Sequence, residues 1–168
     1  MAQRISLRDY QMELAARLRA PESGRMASKL AVQAATDGWL VELTEASEII
    51  PVPAISPVAQ TKAWFKGVAN VRGNLYSVVD FPAFLGNAPV SLNEQSRLLL
   101  LGERFRTASA LLVDRSLGLR NATQLQLTDA KNQAAWVRAE YQDEEGKRWL
   151  ELDLGQLVQH EEFLNVGN

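Results

Sequence analysis

Few side chains in this sequence have a type and setting suited to catalysis or metal binding. The chain of 168 residues contains one histidine and no cysteine, which excludes thiolate nucleophiles, thiolate metal sites and disulfides. His160 stands beside Glu161 and Glu162, in a charged segment typical of solvated side chains. Residues 143–145 form an acidic run typical of an exposed turn. There is no phosphate loop, dinucleotide fingerprint, nucleophile elbow or calcium loop. The sequence therefore predicts neither an enzyme nor a bound metal or cofactor.

Arg72 is the side chain whose setting suggests a binding role. Residues 64–81, WFKGVANVRGNLYSVVDF, read as two strands with this arginine at the tip of their turn. Gly73 supplies the positive φ that a tight turn often requires, and Asn70 can bond to the turn backbone. Two interpretations remain open. Arg72 is either an exposed turn residue or a planar five-donor fork that a rigid hairpin presents to a partner.

The elements around this hairpin are predicted to be mostly strands. Turn signals occur at Asp37-Gly38, at Gly102-Glu103-Arg104 and over residues 143–146, each between short apolar runs. Prolines at positions 51, 53 and 57 predict an extended connection. About nine or ten short strands are expected, which is typical of an all-β barrel or sandwich. Residues 155–164 are predicted to form a short C-terminal helix.

An N-terminal helix is predicted over residues 6–19. Apolar side chains at Leu7, Tyr10, Leu14 and Leu18 recur at helical spacing and form one stripe. That stripe either packs on the chain's own domain or contacts a partner. The first residues lack the apolar core of a secretory signal, and no apolar run is long enough to span a bilayer. A cytoplasmic protein without direct membrane insertion is therefore expected. The net charge of −2 and pI of about 5.5 give no basic surface for nucleic acid.

The hairpin also resembles a known family. The segment GVANVRGNLYSVVDF is similar to the Gly-x-x-Asn-x-Arg-Gly…Val-Asp signature of CheW-like chemotaxis coupling domains. The positions that carry the similarity are Gly67, Asn70, Arg72, Gly73 and Asp80.

Two further segments carry the resemblance in the family's order, and together the match covers residues 29–164. EASEIIPVP resembles the family's Val-x-Glu-Ile segment through Ala46, Glu48 and Ile49. ALLVDRSLGL resembles a Gly-x-x-Val-Asp segment through Val113 and Asp114. The details of the hairpin and the N-terminal helix are most similar to coupling proteins of type IV pilus (twitching) chemosensory systems. Ala46 replaces a frequent valine, which removes apolar contact. Ser116 stands where the family is usually hydrophobic.

The resemblance implies a fold and a set of partners. The implied fold is a helical extension over residues 1–25 and a CheW-like domain over residues 26–168, built from two intertwined five-stranded SH3-like β-barrels. The implied role is a non-catalytic adaptor between the cytoplasmic tip of methyl-accepting chemoreceptors and the regulatory domain of a CheA-type histidine kinase. The resemblance also implies that the protein is recruited from the cytoplasm to membrane-associated chemosensory arrays. By position, Arg72, Glu48 and Ala46 would face the receptor groove.

Two other functions remain as alternatives. Small β-barrels also bind oligonucleotides or small ligands, although the acidic pI and the lack of a row of stacking aromatic residues argue against this. A hydrolase with a carboxylate site is a weaker alternative, because carboxylates that pair only in space leave no sequence motif.

Overall fold

The computed structural model describes residues 28–129 and 133–168. The predicted helix over residues 6–19 and the extension over residues 1–25 lie outside the described residues. Among the described residues, no helix has the length and apolar character needed to cross a membrane.

Twelve strands and three short α-helices form the described part of the chain. The strands are β1 (Ser28–Ala34), β2 (Asp37–Glu42), β3 (Ala46–Pro51), β4 (Ile55–Ser56), β5 (Phe65–Val71), β6 (Asn74–Asp80), β7 (Arg97–Leu101), β8 (Ser109–Val113), β9 (Arg115–Asn121), β10 (Gln126–Thr128), β11 (Val137–Gln142) and β12 (Arg148–Leu152). The helices are α1 (Phe81–Phe84), α2 (Leu154–Gln159) and α3 (Glu161–Leu164).

The strands form two sheets of six that interlock along the chain. Sheet A has the order β10-β11-β12-β2-β1-β9, and sheet B has the order β3-β7-β8-β6-β5-β4. The chain begins in sheet A, builds all of sheet B and then returns to sheet A. The prediction of a mostly β fold is confirmed. The expected five strands per unit is wrong, because a short edge strand, β4 or β10, extends each sheet. Both hydrogen-bonded orders are open, so neither sheet closes into a barrel.

Alternating side chains divide the apolar core into three clusters. The largest joins the two sheets and includes Val41 and Leu152 from sheet A with Leu99 and Leu111 from sheet B. A second cluster lies within sheet B and a third, around Trp149, lies within sheet A. Strands β7 and β8 contribute to both the shared cluster and the cluster within sheet B. Both faces of these two strands are buried, which explains why their sequences are apolar without interruption.

Most predicted turns are confirmed, but the first is displaced. The turn between β1 and β2 consists of Ala35 and Thr36, whereas Asp37 and Gly38 already belong to β2. Ala35 has a φ of 55°, and its N–H donates to Oδ2 of Asp114 at 2.7 Å. A Cβ on Gly38 would lie 2.5 Å from the Trp149 ring. The glycine therefore permits close packing and does not form the turn.

The C-terminal helix is interrupted at His160. Helices α2 and α3 flank this residue, whose Nδ1 accepts a hydrogen bond from the N–H of Glu162 at 3.3 Å. Its ring lies edge-on to Trp136 with a centroid separation of 4.8 Å. The prediction of a merely solvated histidine is therefore wrong: His160 is half-buried and caps α3.

Candidate functional site

The β5–β6 hairpin presents Arg72 from a two-residue turn. Arg72 and Gly73 have φ values of 52° and 85°, the paired positive φ of a type I′ turn. Asn70 supports the turn, because its Oδ1 accepts a hydrogen bond from the N–H of Gly73 at 2.9 Å. An arginine with a left-handed backbone is unfavourable by roughly 1–2 kcal/mol. The turn thus fixes the direction of Arg72 at some cost to stability, a combination frequent at functional sites.

Arg72 forms a two-pronged ion pair with Glu48 on β3. The two terminal nitrogens of the guanidinium each donate to a different carboxylate oxygen of Glu48, both at 2.7 Å. The hydrogen bonds to Arg72 lower the pKa of Glu48, and those to Glu48 raise the pKa of Arg72. The Arg72 side chain is 70% exposed and that of Glu48 is 38% exposed. Such an exposed pair adds little to stability.

The geometry leaves the pair available to a partner. A guanidinium has five N–H donors, and Glu48 occupies only two of those on Arg72. The carboxylate keeps the guanidinium plane in one orientation, so an approaching acceptor meets a preorganised donor. Leu75, three residues further along the chain, is 62% exposed and adds apolar surface to the hairpin. We define Arg72, Glu48 and Leu75 as the hairpin site.

Ala46 does not join the hairpin site. It pairs with Leu101 at the start of β3, and its half-buried side chain packs against the shared core. A bulge between Ala46 and Glu48 leaves Ser47 as the extra, exposed residue. The structure therefore brings Arg72 and Glu48 together and places Ala46 against the shared core.

Comparisons with known proteins identify the family of this chain. The model of the CheW-like domain family matches residues 29–162. The chain belongs to the CheW-like family. It is 30% identical to protein PilI of Pseudomonas aeruginosa over 134 residues, which cover 76% of this chain and 73% of PilI. A crystal structure of the scaffolding protein TtCheW from Thermoanaerobacter tengcongensis shares the fold, with a TM-score of 0.66, 15% identity and coverage of 81% of this chain and 94% of that one.

Membership settles the class of protein. CheW-like proteins are non-catalytic scaffolds, so this chain is an adaptor and not an enzyme. In the described residues, no group of three histidine or carboxylate side chains could hold a metal ion.

Two further signature residues of this CheW-like domain, Gly67 and Asp80, connect the β5–β6 hairpin to neighbouring segments. A Cβ on Gly67, whose φ is 126°, would lie 1.9 Å from the carbonyl oxygen of Ser56. Asp80 is fully buried, and its carboxylate accepts hydrogen bonds from the N–H groups of Ala83 and Val90, both at 3.0 Å. Both residues have structural contacts that explain their place in the motif.

Val113 and Asp114 lie where the chain leaves sheet B for sheet A. Val113 is fully buried in the shared core at the end of β8. The carboxylate of Asp114 accepts a hydrogen bond from the N–H of Ala35, and the backbone N–H of Asp114 donates to the carbonyl oxygen of Gln33 at 3.0 Å. Ser116 pairs with Val32 beside a bulge that contains Leu117, and this bulge accounts for the interrupted hydrophobic register. These residues join the two sheets and do not belong to the hairpin site.

Sequence reasoning missed a charged cluster at one end of sheet A. Its members are Lys29, Glu42, Glu45, Arg138, Glu151 and Asp153. Arg138 contacts Glu45 at 3.0 Å, Asp153 at 3.2 Å and Glu151 at 3.3 Å. Burial opposes the charge on Arg138, but its hydrogen bonds to carboxylates raise its pKa above the ordinary value. The sequence signal that could have revealed the cluster is the presence of charged residues inside otherwise apolar strands, as at Lys29 and Glu151.

Proposed function

We propose that this protein is an adaptor that couples chemoreceptors to a CheA-type histidine kinase in a type IV pilus chemosensory system. In this proposal the protein acts in the cytoplasm at membrane-associated arrays. In this proposal, each of its two open sheets takes the place of one of the intertwined SH3-like barrels that the family resemblance implies. Residues 26–168 form the adaptor domain, and residues 1–25 form an extension to it.

The hairpin site is the observation that carries the receptor-binding part of the proposal. An exposed guanidinium held by a carboxylate, with an exposed leucine on the same hairpin, combines a directional donor with apolar area. Arginine is enriched among interface residues that contribute most to affinity, and its planar fork is well suited to carboxylates and carbonyl groups. The receptor tip would therefore contact Arg72, with Glu48 as the group that orients it.

A charge-reversal series tests this assignment. We expect Arg72→Glu to reduce binding to the receptor's cytoplasmic fragment at least tenfold while the free energy of unfolding changes little. Binding to the kinase regulatory domain is the internal control and should be unchanged. The reciprocal variant Glu48→Arg reverses the second charge. Receptor and kinase binding are measured separately by titration, and receptor-dependent kinase activity is measured in a reconstituted mixture.

The double variant Arg72→Glu with Glu48→Arg separates two roles. It restores a local ion pair with the charges exchanged. If Arg72 contacts the receptor directly, the double variant stays as defective as Arg72→Glu. If the pair only shapes the groove, the double variant recovers receptor binding. Receptor binding by Arg72→Glu at the parental affinity would show that the hairpin site is not the receptor contact.

A further inference from the structure

The charged cluster carries an excess of negative charge. Four carboxylates, from Glu42, Glu45, Glu151 and Asp153, surround the two cations Lys29 and Arg138, so the net charge is −2. Glu42 and Asp153 lie at its more exposed side, with side-chain exposures of 28% and 24%. An additional cation at this side would meet uncompensated negative charge in a partly desolvated setting.

Glu45 provides a second, independent indication that the charged cluster is incomplete. Its side chain is 8% exposed and points into the cluster, where Oε1 contacts Arg138 at 3.0 Å. Its other oxygen, Oε2, is buried and has no hydrogen-bond partner among the described residues. A buried carboxylate oxygen without a donor destabilises the folded protein. A donor from outside the described residues would remove that cost.

The position where the described chain begins points to the source of that donor. Lys29 belongs to the charged cluster and pairs with Glu42 across β1 and β2. In this antiparallel register, the residue before Lys29 lies opposite Leu43, which is 43% exposed. The described chain therefore begins beside an exposed leucine and the acidic side of the charged cluster. The eight residues 20–27 can span roughly 26–29 Å, enough for residues 6–19 to fold back.

The composition of the N-terminal segment complements this surface. Residues 1–27 contain five arginines and three carboxylates, for a net charge of +2. In the predicted helix, each residue is rotated by about 100° from the one before. Arg17 then lies beside the apolar stripe on one side, with Glu13 beyond it, and Arg8 lies on the other side, while Asp9 lies on the far face. A surface that combines an exposed leucine with an excess of negative charge matches such a helix.

We infer that residues 6–19 dock onto the charged cluster and Leu43. The apolar stripe covers Leu43, and the flanking arginines face Glu42 and Asp153. The docked helix is an intramolecular partner of sheet A, at the end of the sheet from which the chain crosses to β3.

Engineered cysteines test this inference directly in the full chain, because the parent has no cysteine. Under mild oxidation, the pair Leu14→Cys with Leu43→Cys should form an intramolecular disulfide at least tenfold faster than Leu14→Cys with Leu127→Cys. Leu127 is 70% exposed on β10 and is the matched control. Disulfide formation is followed by mass spectrometry at several protein concentrations, which separates cross-links within one chain from those between chains.

The electrostatic part has its own variant. Adding Arg8→Glu and Arg17→Glu to the Leu14–Leu43 cysteine pair should slow cross-linking severalfold, as should high salt. In the cysteine-free chain, the same two reversals should speed hydrogen exchange at residues 42–45. Equal rates for the two cysteine pairs, or predominantly intermolecular disulfides, would overturn the inference. Rates of disulfide formation and hydrogen exchange that do not change in the arginine variants would also overturn the inference, since the charged cluster would then not be the binding surface.

Discussion

At the scale of single residues, two glycines of the β5–β6 hairpin serve different purposes. Gly67 allows the backbone of β5 to approach the carbonyl oxygen of Ser56, where no side chain fits. Gly73 supplies positive φ in the turn beside Arg72, and a Cβ there would meet nothing within 4 Å. The first glycine is required by packing and by backbone conformation, the second by conformation alone.

The two glycines therefore differ in how much an alanine substitution costs. We expect Gly67→Ala to lower the free energy of unfolding by about 3 kcal/mol or more, because the new Cβ would overlap backbone atoms. Gly73→Ala should cost only about 1–2 kcal/mol, the penalty for a left-handed conformation. Urea denaturation of both variants measures the difference. Equal costs would mean that β4 moves aside at little expense and that close packing does not explain Gly67.

The hairpin site was predictable from sequence because its signals are local. The Asn70-x-Arg72-Gly73 order encodes both the turn and the hydrogen bond that supports it. The partner of Arg72 was not determined by local sequence, because Glu48 lies 24 residues away and reaches it only through the folded sheet. The dependence on distant residues also explains why the first turn was misplaced. Gly38 is a glycine because the Trp149 ring, on a strand distant in sequence, packs against it.

At the scale of elements, Glu151 connects three strands of sheet A. Its two oxygens accept from Lys29 of β1 at 3.0 Å and from the Tyr141 hydroxyl of β11 at 2.9 Å. Burial, and then the hydrogen bond to Glu151, raise the pKa of Tyr141. Burial lowers the pKa of Lys29, but its bonds to Glu42 and Glu151 outweigh this and leave the pKa raised. Alternating apolar patterns gave no hint of this polar connection.

These raised pKa values predict alkaline destabilisation. An unfolded tyrosine loses its proton near pH 10 and an unfolded lysine slightly higher, whereas the folded protein retains both protons. The unfolded state then binds fewer protons, so stability falls as pH rises through this range. Tyr141→Phe should lose about 1.5–3 kcal/mol at pH 8 and show a shallower decline above pH 10. Denaturation from pH 8 to 11 measures both, and parallel curves for variant and parent would contradict the prediction.

At the scale of the whole molecule, the interlocked chain path makes the two sheets depend on each other. Sheet B is inserted between the two halves of sheet A, and the largest core cluster draws side chains from both sheets. Sheet A therefore cannot assemble its core face without sheet B, although both ends of the described chain belong to or follow sheet A. The apolar pattern predicted the strands and their burial, but not this pairing, because pairing between distant strands leaves no periodic signal in the sequence.

Because the two sheets depend on each other, a cavity made in the shared core from one sheet should also reduce the stability of the other sheet. Leu111 of β8 is fully buried in that core, so Leu111→Ala should lower the free energy of unfolding by about 2–5 kcal/mol. Hydrogen exchange should then lose protection equally in β2 and β12 of sheet A and in β6 and β7 of sheet B. Leu127→Ala, at a 70% exposed position, is the control and should change stability by less than about 0.5 kcal/mol. Loss of protection confined to β6–β8 would show that sheet A keeps its structure independently, and that the shared core does not make the two sheets one cooperative unit.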